Sequence, residues 1–310
     1  MNNNEHNCNH DCDNCENKCN EQNCNHDCAN CSSNCGKMSK EDFLKPQNQY
    51  SNIKNVIAVM SGKGGVGKSM VTSLLAVAMK KEGFNVGILD ADITGPSIPK
   101  CFGVSGIVSG NGECIFPKVS EGGVKVISSN LLLENETDPI IWRGPVIAGL
   151  VEQFWTDVAW DDVDYMFVDM PPGTGDVPLT VFQSLPIKGI VVVTSPQDLV
   201  SMIVEKAVKM ASKMEIPVLG IVENMSYFIC PNCDEKHYIY GMSNVEEIAA
   251  EYNIDTVSKM PIDGKLPALC DQGLVESYEE NHLKSIINTF LNLYFTKKIP
   301  LKGINFKMIF

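Results

Sequence analysis

One octet constrains this chain more than any other feature. Gly62-Lys63-Gly64-Gly65-Val66-Gly67-Lys68-Ser69 satisfies G-x4-G-K-[ST], a pattern with mechanical meaning only after a strand and before a helix. Both flanks comply. VIAVMS (56–61) is a short apolar run that stops at glycines, as a buried parallel strand does. SMVTSLLAVAMKKEG (69–83) has helical length and ends at Gly83. In that setting the glycines let successive backbone N–H groups point inward at phosphate oxygens, and the following helix adds its positive end. Lys68 is then expected to reach the β- and γ-phosphates and the Ser69 hydroxyl to ligate Mg²⁺. The bland alternative, a glycine-rich turn without nucleotide, has motif, flanks and lysine together against it.

Further apolar runs at 85–90, 164–170, 188–195 and 217–225 read as buried strands, and 145–158, 176–185, 199–214, 243–252 and 280–294 as helices. Such alternation predicts one doubly wound α/β domain with a mostly parallel sheet, spanning 55–294. The Gly- and Ser-rich stretch 101–140 promises short strands and loops. Two strands run into acids: NVGILD into Asp90 and Asp92, DYMFVDM into Asp169. Carboxylates at the carboxyl ends of parallel strands face the ligand crevice, so Asp169 fits the Mg²⁺-holding role and Asp90 a structural one. The loop Pro171-Pro172-Gly173-Thr174-Gly175-Asp176 offers glycine N–H groups to a γ-phosphate, with Asp176 as the expected cap of the next helix.

Residues 1–36 are of a different kind. They hold 12 Asn and no Val, Ile, Leu, Phe, Tyr or Trp, so they cannot build a core. Eight of the 13 cysteines lie there, in two copies of C-x3-C-x2-C-x3-C: Cys8, Cys12, Cys15 and Cys19, then Cys24, Cys28, Cys31 and Cys35. Each copy has the four thiols of a complete tetrathiolate site for Zn²⁺ or iron–sulfur; a reactive tail without metal is the alternative. The polar N-terminus has no apolar core of a secretion signal, which favours metal ligation over disulfides and a cytoplasmic location. Residues 37–54 read as a linker. The net charge of −13 disfavours nucleic acid as a partner. The tail 295–310 is basic and apolar, but Pro300 and Gly303 break any long amphipathic helix, so packing on the domain is expected over membrane contact.

Lys63, a second lysine early in the loop, marks the deviant Walker A class of MinD, ParA and the nitrogenase iron protein. Within it the chain resembles the Mrp/ApbC group of P-loop ATPases, relatives of the eukaryotic cytosolic iron–sulfur scaffold ATPases. The resemblance runs over roughly 50–293 and rests on SGKGGVGKS (61–69), DADITGPSIP (90–99), IIWRGP (140–145), DMPPGTGD (169–176), TSPQD (194–198), ENMSYFICPNC (223–233) and DQG (271–273). It implies a homodimer in which Lys63 crosses to the partner's nucleotide, Asp92 activates the attacking water, and Asn224 recognises adenine. Met70 stands where the group usually has Thr, removing a hydroxyl contact to an α-phosphate, and DEKHYIYGMSN after Cys233 has fewer glycines than expected.

Cys230 and Cys233 supply two thiolates, half of what a [4Fe–4S] cluster or tetrahedral Zn²⁺ needs; a two-fold dimer completes the set. The resemblance implies a labile [4Fe–4S] cluster shared across the dimer and passed to apo iron–sulfur proteins under ATP control, with bridging Zn²⁺ or a redox dithiol as alternatives. Cys101, Cys114 and Cys270 read as isolated thiols. The competing functions are an ATP-gated electron-transfer protein like the nitrogenase iron protein and a MinD-like positioning ATPase.

Overall fold

The computed structural model describes residues 40–93, 95–133, 144–196 and 200–296. The eight N-terminal cysteines, Arg143, Gln197, Asp198 and the tail from residue 297 lie outside the described residues. The chain divides between Phe43 and Leu44. Ahead of that boundary only the 3-10 turn Lys40–Phe43 is described, and the second unit, from Leu44 on, holds the sheet and its helices.

Its strands are β1 (Ser51–Ser61), β2 (Val86–Asp90), β3 (Lys118–Val119), β4 (Lys125–Ile127), β5 (Asp161–Asp169), β6 (Ile187–Thr194), β7 (Val218–Ile229), β8 (Lys236–His237) and β9 (Val257–Pro261). Its helices are α1 (Lys68–Lys81), α2 (Ile98–Cys101), α3 (Gly144–Thr156), α4 (Asp176–Ser184), α5 (Val200–Lys213), α6 (Val245–Glu251), α7 (Lys265–Gln272) and α8 (Lys284–Thr296). The sheet order is β3-β4-β2-β5-β1-β6-β7-β8, with β9 also on β7. Among the described strands, pairing is parallel from β4 through β7 to β9 and antiparallel at β3 and β8.

A central parallel strand must bury both faces, and β1 does so by alternation. Val56, Ala58 and Met60 join a core with Phe154 and Trp155 of α3 and Phe182 of α4. Ile57 and Val59 join the opposite core, with Val71 and Leu75 of α1 and Phe290 of α8. Because β1, β2, β5 and β6 run the same way, Ser61, Asp90, Asp169 and Thr194 all end at one rim.

The five strands and six helices read from the sequence are present with shifted ends. β1 begins at Ser51 because Asn52 and Lys54 pair with Asp162 and Asp164 along β5, both at 2.7 Å. That polar stretch hides the strand from a hydrophobicity reading. β7 likewise runs on to Ile229. Asp176 does not cap α4: Gly175 is the N-cap, and Asp176 lies in the first turn, next to the helix's positive end. Neither β9, interrupted by Lys259, nor α7, with Pro267 in its first turn, was anticipated.

Candidate functional site

The octet forms a loop from the end of β1 to the start of α1. Gly65 (φ 80°) and Gly67 (φ 83°) take left-handed conformations, and a β-carbon on Gly67 would also overlap the Asn224 amide. Gly62, Gly64 and Lys63 are exposed, while Val66 is buried and anchors the loop.

Lys68 and Asp169 meet almost out of solvent. Lys68 Nζ lies 2.7 Å from Asp169 Oδ2 and 3.7 Å from Asp92 Oδ2. The Ser69 hydroxyl donates to the same Asp169 oxygen at 2.5 Å, and the Thr72 hydroxyl donates to Oδ1 at 2.6 Å. Thr72 was not read from the sequence, although its place three residues after Ser69 puts both on one helix face. Asp90, beside Asp169 in the sheet, accepts from the Ser128 hydroxyl (3.0 Å) and from the Asp92 N–H (3.1 Å). Burial, and then the Asp169 charge, push its carboxyl up to about 8. Asp90 therefore braces the rim, and Asp92 turns toward Lys68. Ser69 and Asp169 provide hard oxygen donors side by side, which suits Mg²⁺. The buried Ser61 hydroxyl lines the same cavity with no hydrogen-bond partner among the described residues.

That cavity, of about 460 Å³, is bounded by the loop, Asp92, Met70 and Pro172. Gly173 (φ 89°) is tied by its N–H to the Ser61 carbonyl at 2.8 Å, so the proline-rich loop lies alongside β1's end. Asn224 is buried, and its amide donates to the Val66 carbonyl at 3.0 Å. It thereby fastens β7 to the loop.

The far wall consists of α2 and α7. Lys100 Nζ and Asp271 Oδ1 pair at 2.5 Å, and the next residues inward, Cys101 and Cys270, have thiols facing each other within hydrogen-bonding reach. Gly273 lies against Gly103 so closely that a β-carbon on it would sit 2.5 Å from the Gly103 Cα. Cys101 and Cys270 are therefore not isolated: they line the cavity together. That contact joins residues 169 positions apart, which no spacing rule reveals. It also accounts for the late DQG, whose Asp271 and Gly273 hold the seam.

Cys230 and Cys233 lie at the tip of a hairpin made by the end of β7 and by β8. The Cys230 N–H donates to the Glu235 carbonyl and the Asp234 N–H to the Cys230 carbonyl, each at 2.9 Å. Backbone N–H groups of Asn232 and then Cys233 face the Cys230 sulfur and hold its thiol below the usual range. His237 joins them: its ring nitrogen and the two sulfurs all lie within 4.8 Å of one another. The sequence alone does not single out His237, because its spacing from Cys233 matters only once the chain turns back.

Backbone amides arched between β1 and α1, over a lysine held in reserve by strand-end carboxylates, make this a P-loop NTPase. The ParA family model, described as "NUBPL iron-transfer P-loop NTPase", matches residues 52–294, and the chain belongs to that family. It is 48% identical over 254 residues to an iron-sulfur cluster carrier protein of Clostridium perfringens, covering 79% of this chain and 88% of the relative. It is 42% identical over 240 residues to one of Methanocaldococcus jannaschii, covering 77% and 83%. Among solved structures it is similar to a nucleotide-binding protein of Archaeoglobus fulgidus in complex with ADP, with Co, at 46% identity and TM-score 0.70, covering 80% of this chain and 97% of that one. The septum site-determining protein MinD of Pyrococcus horikoshii shares the fold at 17% identity and TM-score 0.54, covering 77% and 96%. No helix among the described residues is long and apolar enough to cross a membrane.

Proposed function

We propose that the chain is an ATP-hydrolysing iron–sulfur carrier that holds a [4Fe–4S] cluster as cargo on Cys230 and Cys233 of two subunits and delivers it to apo-proteins. One observation carries the reading: β7 joins the two sites. Asn224 fixes that strand to the phosphate loop at Val66, and six residues on it presents Cys230 at an exposed hairpin tip. A change at the loop thus has a short path along the chain, through the irregularity at Met225 (φ 59°), to the cluster ligands. The names of the relatives support the same reading.

In the nucleotide step Lys68 leaves Asp169 for the β- and γ-phosphates, and the loop N–H groups hold the phosphate oxygens. Asp92, already at the cavity wall, orients the attacking water and accepts its proton. Ser69 and Asp169 would hold Mg²⁺, which would supply neutralising charge. Lys63, exposed at the loop, reaches the partner's nucleotide when two subunits face each other. Cys233 is exposed, which suits a cluster that is handed on over one retained for electron transfer.

Asp92→Asn tests the nucleotide half: bound nucleotide should persist while hydrolysis slows by a factor of about 100 or more. Cys230→Ala with Cys233→Ala tests the cargo half: anaerobic reconstitution should yield no cluster at the hairpin, with hydrolysis retained. Turnover unchanged in the first variant, or a hairpin cluster still present in the second, overturns the respective assignment.

A further inference from the structure

Hairpin register dictates which side chains share a face. Phe228 pairs with His237 and Ile229 with Lys236 across the β7–β8 ladder. Paired residues lie on one face and successive residues alternate, so Cys230 and His237 fall on the same face as diagonal neighbours, within side-chain reach. Lys236 is sent to the other face, where its ammonium lies 4.5 Å from the centre of the Tyr227 ring. The nearest cation of the hairpin is thus directed away from the sulfurs, and an imidazole is directed toward them.

We propose that His237 is a third ligand, so that Cys230, Cys233 and His237 of a single chain hold one divalent ion that favours thiolate and imidazole, of the Zn²⁺ or Fe²⁺ kind. The three ligand atoms lie within 4.8 Å of one another. A tetrahedral ion with bonds of about 2.0–2.3 Å sets its ligand atoms roughly 3.5–3.8 Å apart, so closure takes about 1 Å of rotamer motion, with Cys233 and His237 exposed and Cys230 half-buried. The turn needs no rebuilding, because its backbone is already closed by the Cys230–Glu235 and Asp234–Cys230 hydrogen bonds. Two sulfurs and one nitrogen leave the fourth position open to water or an incoming donor. A lone subunit can thereby keep a metal ion on cysteines that the shared cluster uses in the dimer.

This inference takes its cysteines from the carrier reading but does not need the dimer, so the two can fail separately. The test is anaerobic Co²⁺ titration of the full chain with its eight N-terminal cysteines changed to serine. One Co²⁺ per chain should bind with the strong visible absorption of a tetrahedral site containing thiolate, and Zn²⁺ should displace it. His237→Ala should weaken binding at least tenfold and shift the visible bands, while His237→Cys should restore affinity with added sulfur-to-metal absorption. The idea fails if His237→Ala matches its parent in affinity and spectrum, or if the parent takes up one ion per two chains. A failed cluster reconstitution beside a normal Co²⁺ titration would count against the carrier alone.

Discussion

Asp169 is fully buried, and Lys68, Ser69 and Thr72 supply the hydrogen bonds that its oxygens cannot take from water. Removing one donor tests what each supports. Lys68→Ala should abolish ATP hydrolysis, since developing phosphate charge goes uncompensated. It should also destabilise the nucleotide-free protein by about 3–5 kcal/mol in urea unfolding, because the partner carboxylate is left buried without its cation. Combined with Asp169→Asn, the cost should be well below the sum of the two single changes; additivity would show the pair is not coupled. Thr72→Val, nearly equal in shape, should cost about 1–3 kcal/mol for the lost donor. Lys68, Ser69 and Asp169 were legible because the loop motif and strand-end acids have fixed positions in sequence. Thr72 and Ser128 were not, since a hydroxyl in a helix or a loop carries no signal until its acceptor is placed.

Between elements, the same distinction separates what pattern reveals from what packing decides. Strands buried on both faces announce themselves as apolar runs, and β2, β5 and β6 were found that way. β9 pairs with β7 at the sheet's margin and carries a half-buried lysine, so its backbone ladder, not its side chains, makes it a strand. The α2–α7 seam is less legible still. It depends on two glycines, Gly103 (φ 63°) and Gly273 (φ 74°), that let the chains touch backbone to backbone. Gly273→Ala adds a β-carbon to a left-handed residue and drives it into Gly103. The substitution should cost at least about 1–3 kcal/mol of stability. Because Cys101 and Cys270 of this seam line the cavity, it should also lower ATP affinity, measured by calorimetry, although no residue changed touches phosphate. Unaltered affinity in a destabilised variant would show that the wall does not shape the site.

At the scale of the molecule, the open question is how many chains a cluster needs. Nothing in residues 1–36 belongs to the phosphate constellation, so deleting them should leave ATP hydrolysis largely intact. A peptide of those residues should take up Zn²⁺ or iron–sulfur by itself, since each repeat carries four cysteines. The truncated protein then isolates the hairpin site. One subunit brings two thiolates there, and two subunits about a two-fold axis bring four. It should therefore bind about one [4Fe–4S] cluster per two chains under anaerobic mass measurement, and lose it when either Cys230 or Cys233 becomes alanine. ATP should alter transfer to an apo-acceptor, because the loop between β1 and α1 is bonded to β7 through Asn224 and β7 ends at Ile229, next to Cys230. Asn224→Ala cuts that link without removing a thiolate or a phosphate ligand in the loop. Cluster binding should survive in this variant while the difference between ATP-bound and nucleotide-free transfer shrinks. A monomer carrying a full cluster would refute the bridging geometry. Transfer that ignores nucleotide in the unmutated protein would instead leave the cluster site standing and remove ATP from its control.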